Sequence, residues 1–188
     1  DLMISNPKPQ SGSNNADVAL VFKHILSKLN VTFAKADVLD DATVTVTSVE
    51  ITGLKEKGSY KQSDYVNDEL TKTSGWTAST LGGGYKLAYS NGQELNASDG
   101  LPYLFIESLV MPQTIVDDQV TLKAKYTIQT GGYSENYTYQ LDLHDVEALR
   151  KYFDGYNYTL KFTIQPDVIK FDATVTVWDD QAASNQTI

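Results

Sequence analysis

The clearest signal along the chain is a two-residue alternation of apolar and polar side chains in its second half. Such alternation is typical of β-strands that bury one face. It predicts four strands, at residues 120–129, 137–143, Tyr156–Ile164 and Ile169–Val177. The pair Gly131-Gly132 lies between the first two runs and predicts a hairpin turn there.

The alternation changes phase once in the first half of the chain. Val44 and Val46 share one parity. Val49 and Ile51 share the other. One extra residue near Thr47-Ser48, a β-bulge, reconciles the two parities, so we predict a bulged strand here.

Two further segments, both before residue 112, do not alternate. Residues 101–111 are almost continuously apolar, which predicts a strand covered on both faces. Residues 55–100 are polar, rich in glycine and weakly patterned. For this segment we expect long loops with a short hairpin around Trp76 and Tyr85–Tyr89.

Residues 20–33 fit either a helix or a strand. The positions that fit one face of a helix are Val18, Val21, Phe22, Ile25 and Leu29. The alternating positions of a strand are Leu20, Phe22, His24 and Leu26, followed by a change of phase. Periodicity alone favours the helix slightly. The other helix that we expect is a short one at residues 146–152.

Length and composition narrow the class of protein. The chain has 188 residues, enough for one domain with its own core. Strands separated by turns, with almost no helix, predict a sandwich or barrel. Acidic residues outnumber basic ones by 24 to 15, and the net charge of −9 argues against binding nucleic-acid phosphates. The absence of cysteine excludes disulfides, thiolate zinc sites and a cysteine nucleophile.

The N-terminal sequence lacks the marks of a natural beginning. It starts at Asp1, with no initiator methionine and no basic, apolar signal segment. No stretch approaches the roughly 20 consecutive apolar residues of a membrane helix. We therefore expect a mature or truncated product.

The two histidines are the ordinary candidates for acid–base chemistry near neutral pH. His24 lies in an apolar run without a nearby carboxylate in sequence, so we expect a packed, structural histidine. His144 and Asp142 share a predicted strand face and could touch one metal ion, whereas Asp145 would point the other way. Because two ligands do not make a tight site, we predict no metal site, no catalytic residue and no cofactor.

Acidic pairs flank the predicted strands at Asp40-Asp41, Asp117-Asp118 and Asp179-Asp180. Aspartate favours turns, and none of the pairs has the spacing of a calcium loop. The common nucleotide-binding and hydrolase motifs do not occur. A hydrolase whose carboxylates meet only in the fold stays open as a third hypothesis.

The aromatic residues allow a second functional hypothesis. Most of the 12 tyrosines share parity with Leu and Phe, which favours core packing over an exposed binding platform. Trp178 falls on the polar parity of its strand, so we expect it to be exposed and to be a possible ligand contact. Together with Trp76, it motivates the alternative of a surface carbohydrate-binding module.

An ordered set of motifs resembles the fimbrillin-like (Mfa-like) family of type V pilus subunits from Bacteroidia-type bacteria. Residues 18–31, which contain Phe22, His24 and Lys28, are similar to the family's Phe-x-His-x-x-x-Lys element. The other matching segments are 49–54, 58–60, Met111-Pro112-Gln113, 155–158 and 175–178. They cover nearly the whole chain in the family's order.

The resemblance implies an all-β fold, a transthyretin-like antiparallel β-sandwich of about seven or eight strands with little helix. It makes residues 20–33 a strand with a bulge near Lys28, against the helical periodicity. Residues 1–188 would then form a single domain, the second (C-terminal) domain of a longer subunit. Residues 1–17 would be an extended lead-in and 181–188 a tail.

The resemblance also implies a function. Family members are exported outer-membrane lipoproteins that reach the cell surface and assemble into adhesive pili. The chain would be a non-enzymatic subunit whose partners are other pilus subunits, joined by strand exchange. A host or bacterial surface protein or glycan would be a further partner, nucleic acid would not, and the membrane would be reached only through an N-terminal lipid anchor absent here.

Overall fold

The computed structural model describes residues 1–5, 20, 22–62, 75–79, 85–95 and 101–178. Its β-strands are β1 (Met3–Ser5), β2 (Phe22–His24), β3 (Ser27–Lys35), β4 (Thr43–Leu54), β5 (Lys57–Tyr60), β6 (Trp76–Ser79), β7 (Tyr85–Tyr89), β8 (Gln93–Leu95), β9 (Tyr103–Val110), β10 (Thr121–Thr130), β11 (Tyr133–Asp142), β12 (Tyr156–Ile164) and β13 (Ile169–Val177). Short 3₁₀ helices occupy Asp37–Leu39, Leu143–Asp145 and Glu147–Leu149. Within these described ranges, no helix is long and apolar enough to cross a membrane.

Two sheets form the sandwich. One has the order β11-β10-β4-β7, and β8 also pairs with β4. The other has the order β13-β12-β3-β9. Two small hairpins, β1–β2 and β5–β6, stand outside both sheets. The all-β sandwich is confirmed, with nine strands in its two main sheets instead of seven or eight.

One pairing departs from the expected antiparallel pattern. β3 and β12 run parallel in the centre of the four-stranded sheet. Their register places Leu29 opposite Tyr158 and Phe33 opposite Phe162, so apolar residues face the core side by side. The rings of Phe33 and Phe162 stack with centroids 4.8 Å apart. Full burial of each such side chain contributes about 1.5–3 kcal/mol, which favours this arrangement.

The four alternating runs, the predicted bulge in β4 and the predicted turn between β10 and β11 are confirmed. The register between β4 and β10 shifts so that Lys125 faces Ser48 and Tyr126 faces Val46. Thr47 is therefore the extra residue of a bulge, at the predicted place. Gly131 and Gly132 have φ angles of 57° and 90° and close the β10–β11 hairpin.

The prediction that the apolar run at 101–111 forms a strand covered on both faces is wrong. β9 also contains a bulge, because Val31 pairs with Ile106 and Thr32 pairs with Leu104. The bulge turns the adjacent residues Phe105 and Ile106 inward, at 7% and 6% exposure, while Leu104 is 52% exposed. A continuous apolar stretch thus arises from a kink in a strand with one buried face.

In the segment 20–33 the described strands are β2 and β3, as the resemblance implies, and not the helix favoured by periodicity. The change of phase comes at residues 25 and 26, between β2 and β3, and not at a bulge near Lys28. The helix expected at 146–152 is a single 3₁₀ turn, Glu147–Leu149.

The segment at 55–100 contains more strand than expected. Trp76 lies in β6 and pairs with β5, whereas Tyr85–Tyr89 forms β7 and pairs with β4. Trp76 and Tyr85–Tyr89 therefore do not form one hairpin. Within the expected lead-in, Met3–Ser5 forms β1 and pairs with β2, and residues 6–17 lie outside the described ones. The tail at 181–188 also lies outside the described residues.

Candidate functional site

The sandwich has two different lateral sides. On one side β7 and β9 close the gap between the sheets, and the rings of Tyr89 and Phe105 meet at 4.9 Å. On the other side the edge strands are β11 and β13. There Tyr139 and Phe171 each contact Phe162 of β12, at 5.7 and 4.9 Å. No aromatic contact between described residues joins β11 to β13.

We call this gap between β11 and β13 the open side. Its inward-facing residues are only half-buried: Tyr137, Tyr139, Leu141, Phe171, Ala173 and Val175. By contrast, Leu160 and Phe162 of the neighbouring β12 are fully buried. Val168 and Val177, at the two ends of β13, are 55% and 65% exposed.

The two strands that flank the open side are both edge strands. Among the described residues β13 pairs with β12 alone and β11 with β10 alone, so each presents a row of free backbone groups. The side chains that line the gap carry no charge at neutral pH. Burial raises the pKa of Tyr139, and the hydrogen bond to Glu135 raises the pKa of Tyr137. The open side is therefore an apolar gap flanked by hydrogen-bonding edges.

Trp178 lies at one end of this side, and it is half-buried instead of exposed as expected. Its indole stacks on the His24 imidazole with ring centroids 3.8 Å apart. Its backbone N–H donates to the Gly155 carbonyl at 2.7 Å. His24 also contacts the Asp1 carboxylate, which confirms the packed histidine. One face of Trp178 is thus covered by His24, and a ligand contact there stays a prediction.

The structure gives His144 different neighbours from those predicted. Asp142 accepts backbone hydrogen bonds from His144 at 2.8 Å and from Asp118 at 2.7 Å. Because residues 143–145 leave the strand as a 3₁₀ turn, Asp145 does not point away, and its carboxylate lies with His144 and Asp117. His144 Nδ1 is 3.6 Å from Asp117 Oδ1. These groups lie in a turn, so Asp142 has a turn-forming role.

Two of the acidic pairs serve turns as expected. Asp118 has a φ of 57° in the turn before β10. The Asp40 backbone N–H donates to the Asp37 carbonyl at 3.0 Å and ends a 3₁₀ helix. The third pair, Asp179-Asp180, lies outside the described residues.

Sequence reasoning missed a second candidate site, beneath the β5–β6 hairpin. Trp76 is fixed there because its Nε1–H donates to the Ile25 carbonyl at 2.6 Å. Its ring also meets the edge of Tyr60 at 5.3 Å. The hairpin packs closely on Met111, since a Cβ at Gly58 would lie 2.5 Å from the Met111 sulfur.

Gln113 holds the base of this site. It is 5% exposed, and its Oε1 accepts from the Lys55 N–H at 2.8 Å. Its Nε2 donates to the carbonyls of Lys55 and Met111 at 3.2 and 3.0 Å. The Pro112-Gln113 motif therefore has a structural role. The side-chain amide of Gln113 joins the backbone at Lys55 to the backbone at Met111, as pairing between two strands would.

Two cavities adjoin at Trp76, and together we call them the Trp76 pocket. One of about 560 Å³ is lined by Leu26, Lys55, Glu56, Lys57, Gly58, Trp76, Leu109, Val110 and Met111. The other, of about 280 Å³, is lined by Lys55, Trp76, Ala78, Pro112, Gln113, Thr114, Lys151 and Tyr152. The sequence signal for this pocket was Trp76 itself, whereas the residues that surround it come from segments distant in sequence.

Solved structures with the same fold come from Bacteroides and Parabacteroides species. A fimbrial protein from Bacteroides vulgatus is 15% identical, with a TM-score of 0.51 over 85% of this chain and 56% of its own. A candidate cell adhesion protein from Bacteroides uniformis is 22% identical, with a TM-score of 0.52 over 86% and 54%. Another, from Parabacteroides distasonis, is 11% identical, with a TM-score of 0.54 over 85% and 53%. The chain thus spans about half the length of these structures.

The family assignment rests on the sequence comparisons. None of the curated proteins is detectably similar to the chain. The model of the fimbrillin-like family, however, matches residues 1–178, which include both sheets, the open side and the Trp76 pocket. The chain belongs to the fimbrillin-like family.

Proposed function

We propose that the chain is a non-enzymatic, adhesive subunit of a bacterial surface pilus that joins its neighbours by β-strand addition. Family membership supports a pilus-type adhesive subunit. The observation that carries the assembly mode is the open side. A strand laid between β11 and β13 would pair with a free edge and would cover the half-buried apolar side chains.

β13 is the edge best suited to accept the strand. It pairs with β12 without irregularity over nine residues, so its free edge is long and regular. Phe171, Ala173 and Val175 point into the gap from alternate positions. An added strand with apolar residues at every second position would fit this spacing, and the opposite phase would not.

The location and the domain arrangement belong to the same proposal. A pilus subunit acts at the outer surface of the cell, and we place this chain there, delivered as a lipoprotein. Since the chain spans about half the length of its solved relatives, we propose that it is the C-terminal domain of a longer subunit. The partners are then other subunits and, for adhesion, a surface protein or glycan.

The other hypotheses receive less support. Carbohydrate binding at Trp178 is weakened by the stacking of His24 on one face of the indole. A hydrolase needs carboxylates in a cleft, whereas the described acidic pairs at Asp40-Asp41 and Asp117-Asp118 lie in exposed turns. Neither alternative accounts for the open side.

Thermal melting with strand peptides tests strand addition. We expect a peptide with apolar residues at alternate positions to raise the melting temperature of the chain. At a hundredfold excess over the dissociation constant, binding to the folded state adds about 2.7 kcal/mol of stability, or several degrees. The control peptide has the same composition in an order in which apolar and polar residues do not alternate.

A matched pair of variants locates the effect. Ala173→Lys places a charge in the gap, whereas Thr174→Lys places it on the outer face of the same strand, where Thr174 is exposed. The peptide should stabilise the Thr174→Lys variant and the unmodified chain, but not a folded Ala173→Lys variant. Equal stabilisation of both variants, or none by any alternating peptide, would contradict addition at β13.

A further inference from the structure

The Trp76 pocket concentrates positive charge on an acidic protein. Lys55, Lys57 and Lys151 line its two adjoining cavities, while the whole chain has a net charge of −9. Among the described residues, no ion pair engages the side chains of Lys55 and Lys57, and Lys151 Nζ lies 4.7 Å from the centre of the Phe153 ring. The acidic lining residue is Glu56. The pocket therefore attracts an anionic group.

The pocket is also preorganised. The indole of Trp76 is held by its hydrogen bond to the Ile25 carbonyl and by Tyr60. The backbone of Lys55 is held by the buried amide of Gln113. Rigid walls reduce the entropy lost on binding, so an aromatic surface fixed in this way favours a ligand with a flat apolar face.

We propose that the Trp76 pocket binds a carboxylate-bearing sugar residue, such as a sialic or uronic acid, at the end of or within a glycan. The C–H face of a sugar ring would pack on Trp76 and Met111, and its carboxylate would accept charge-assisted hydrogen bonds from Lys55 and Lys57. The larger cavity, about 560 Å³, lies in the size range of small-molecule sites. An acidic peptide would pair with the charges of the lysines, but it would place no flat apolar face against the ring of Trp76.

This binding extends the adhesive part of the proposed function and is independent of strand addition. The pocket is lined by Leu26, by residues 55–58, by Trp76 and Ala78, and by residues 109–114 and 151–152, whereas the open side is formed by β11 and β13. The isolated chain can therefore be tested for sugar binding without assembly. Loss of one property leaves the other intact.

The test is a titration of the 188-residue chain with 3′-sialyllactose and digalacturonate, followed by NMR. Lactose is the neutral control, and a Glu-rich peptide is the competing class of ligand. We expect saturable binding of at least one acidic sugar, about tenfold tighter than lactose and weakened by added salt.

Variants assign the binding to the pocket. Lys55→Gln combined with Lys57→Gln should weaken acidic-sugar binding about fivefold or more, as should Trp76→Phe, which removes the indole N–H that fixes the ring. Lys125→Gln changes an exposed lysine of β10 and should have no effect. The melting temperature of each variant establishes that it is folded.

Three results would overturn the proposal. The first is equal binding of lactose and the acidic sugars. The second is no saturable binding of either acidic sugar up to about 10 mM, which is weaker than any useful site. The third is tighter binding of the Glu-rich peptide, which would make the pocket a peptide site.

Discussion

At the scale of single residues, two buried tyrosines show how much a hydroxyl's partner matters. Tyr152 and Tyr158 meet edge to face at 4.5 Å, and both are at most 1% exposed. The Tyr158 hydroxyl accepts from the Phe153 N–H at 2.9 Å and donates to the Lys151 carbonyl at 3.1 Å. The Tyr152 hydroxyl has no hydrogen-bond partner in the part of the chain that the structure describes. Of these two neighbouring tyrosines, the Tyr158 hydroxyl is therefore hydrogen-bonded within the described residues and the Tyr152 hydroxyl is not.

We expect opposite results when each hydroxyl is removed. Tyr158→Phe removes the hydroxyl that pairs with the Phe153 N–H and the Lys151 carbonyl and should lower the free energy of unfolding by about 1–3 kcal/mol. Tyr152→Phe removes an unpaired polar atom and should be neutral or stabilising. Denaturant unfolding at pH 7 measures both, and an equal loss in the two variants would contradict the assignment of partners.

The same pair predicts a loss of stability at high pH. Burial raises the pKa of Tyr158 to about 12 and that of Tyr152 further, from the model-compound value of 10.0. Between pH 10 and 12 the unfolded chain therefore binds fewer protons than the folded chain, and stability falls as pH rises. Each tyrosine contributes a loss on the order of 1 kcal/mol per pH unit in this window. Comparison of unfolding at pH 9 and 11 checks this, and Tyr152→Phe should make the loss between the two pH values smaller.

At the scale of strands, the alternation of apolar and polar residues predicted strand positions and a bulge, because these features depend on neighbouring residues. The alternation located β12 and β13 to the residue, and the parity change at Thr47-Ser48 located the bulge in β4. The sequence could not predict that β9 is bulged, because its apolar run fits a two-faced strand equally well. Nor could it predict that Trp76 pairs with β5, since that pairing spans a polar segment without periodicity.

Because of the bulge in β9, we expect substitutions of the adjacent residues Leu104 and Phe105 to change the free energy of unfolding by different amounts. Phe105 contacts the rings of Phe33 and Tyr89 at 5.3 and 4.9 Å, whereas Leu104 is 52% exposed. Phe105→Ala should cost about 3–5 kcal/mol of unfolding free energy through the cavity it leaves. Leu104→Ala should cost less than about 1 kcal/mol. If residues 101–111 were covered on both faces, the two variants would lose similar amounts.

At the scale of the whole molecule, the two proposed surfaces lie on different parts of the sandwich. The open side exposes the unpaired edges of β11 and β13, while the Trp76 pocket lies under the separate β5–β6 hairpin. Asp1, His24 and Trp178 bring the first and last described residues together beside Gly155. The alternation of β11 and β13 identified the apolar residues of the open side, but only the sheet order reveals that both are edges. The proposed strand addition at the open side would therefore leave the pocket accessible.

Hydrogen exchange across the molecule decides which edge accepts the strand. In the free chain, amides of the central strands β3, β4, β10 and β12 should exchange most slowly, because each is paired on both sides. In β13 and β11 only alternate amides point to a neighbour, so the others should exchange fast. An alternating peptide should slow those fast amides of β13, since pairing gives each a carbonyl partner. Slowing in β7 or β9 instead would place the added strand on the opposite side and would leave the open side without a role in assembly.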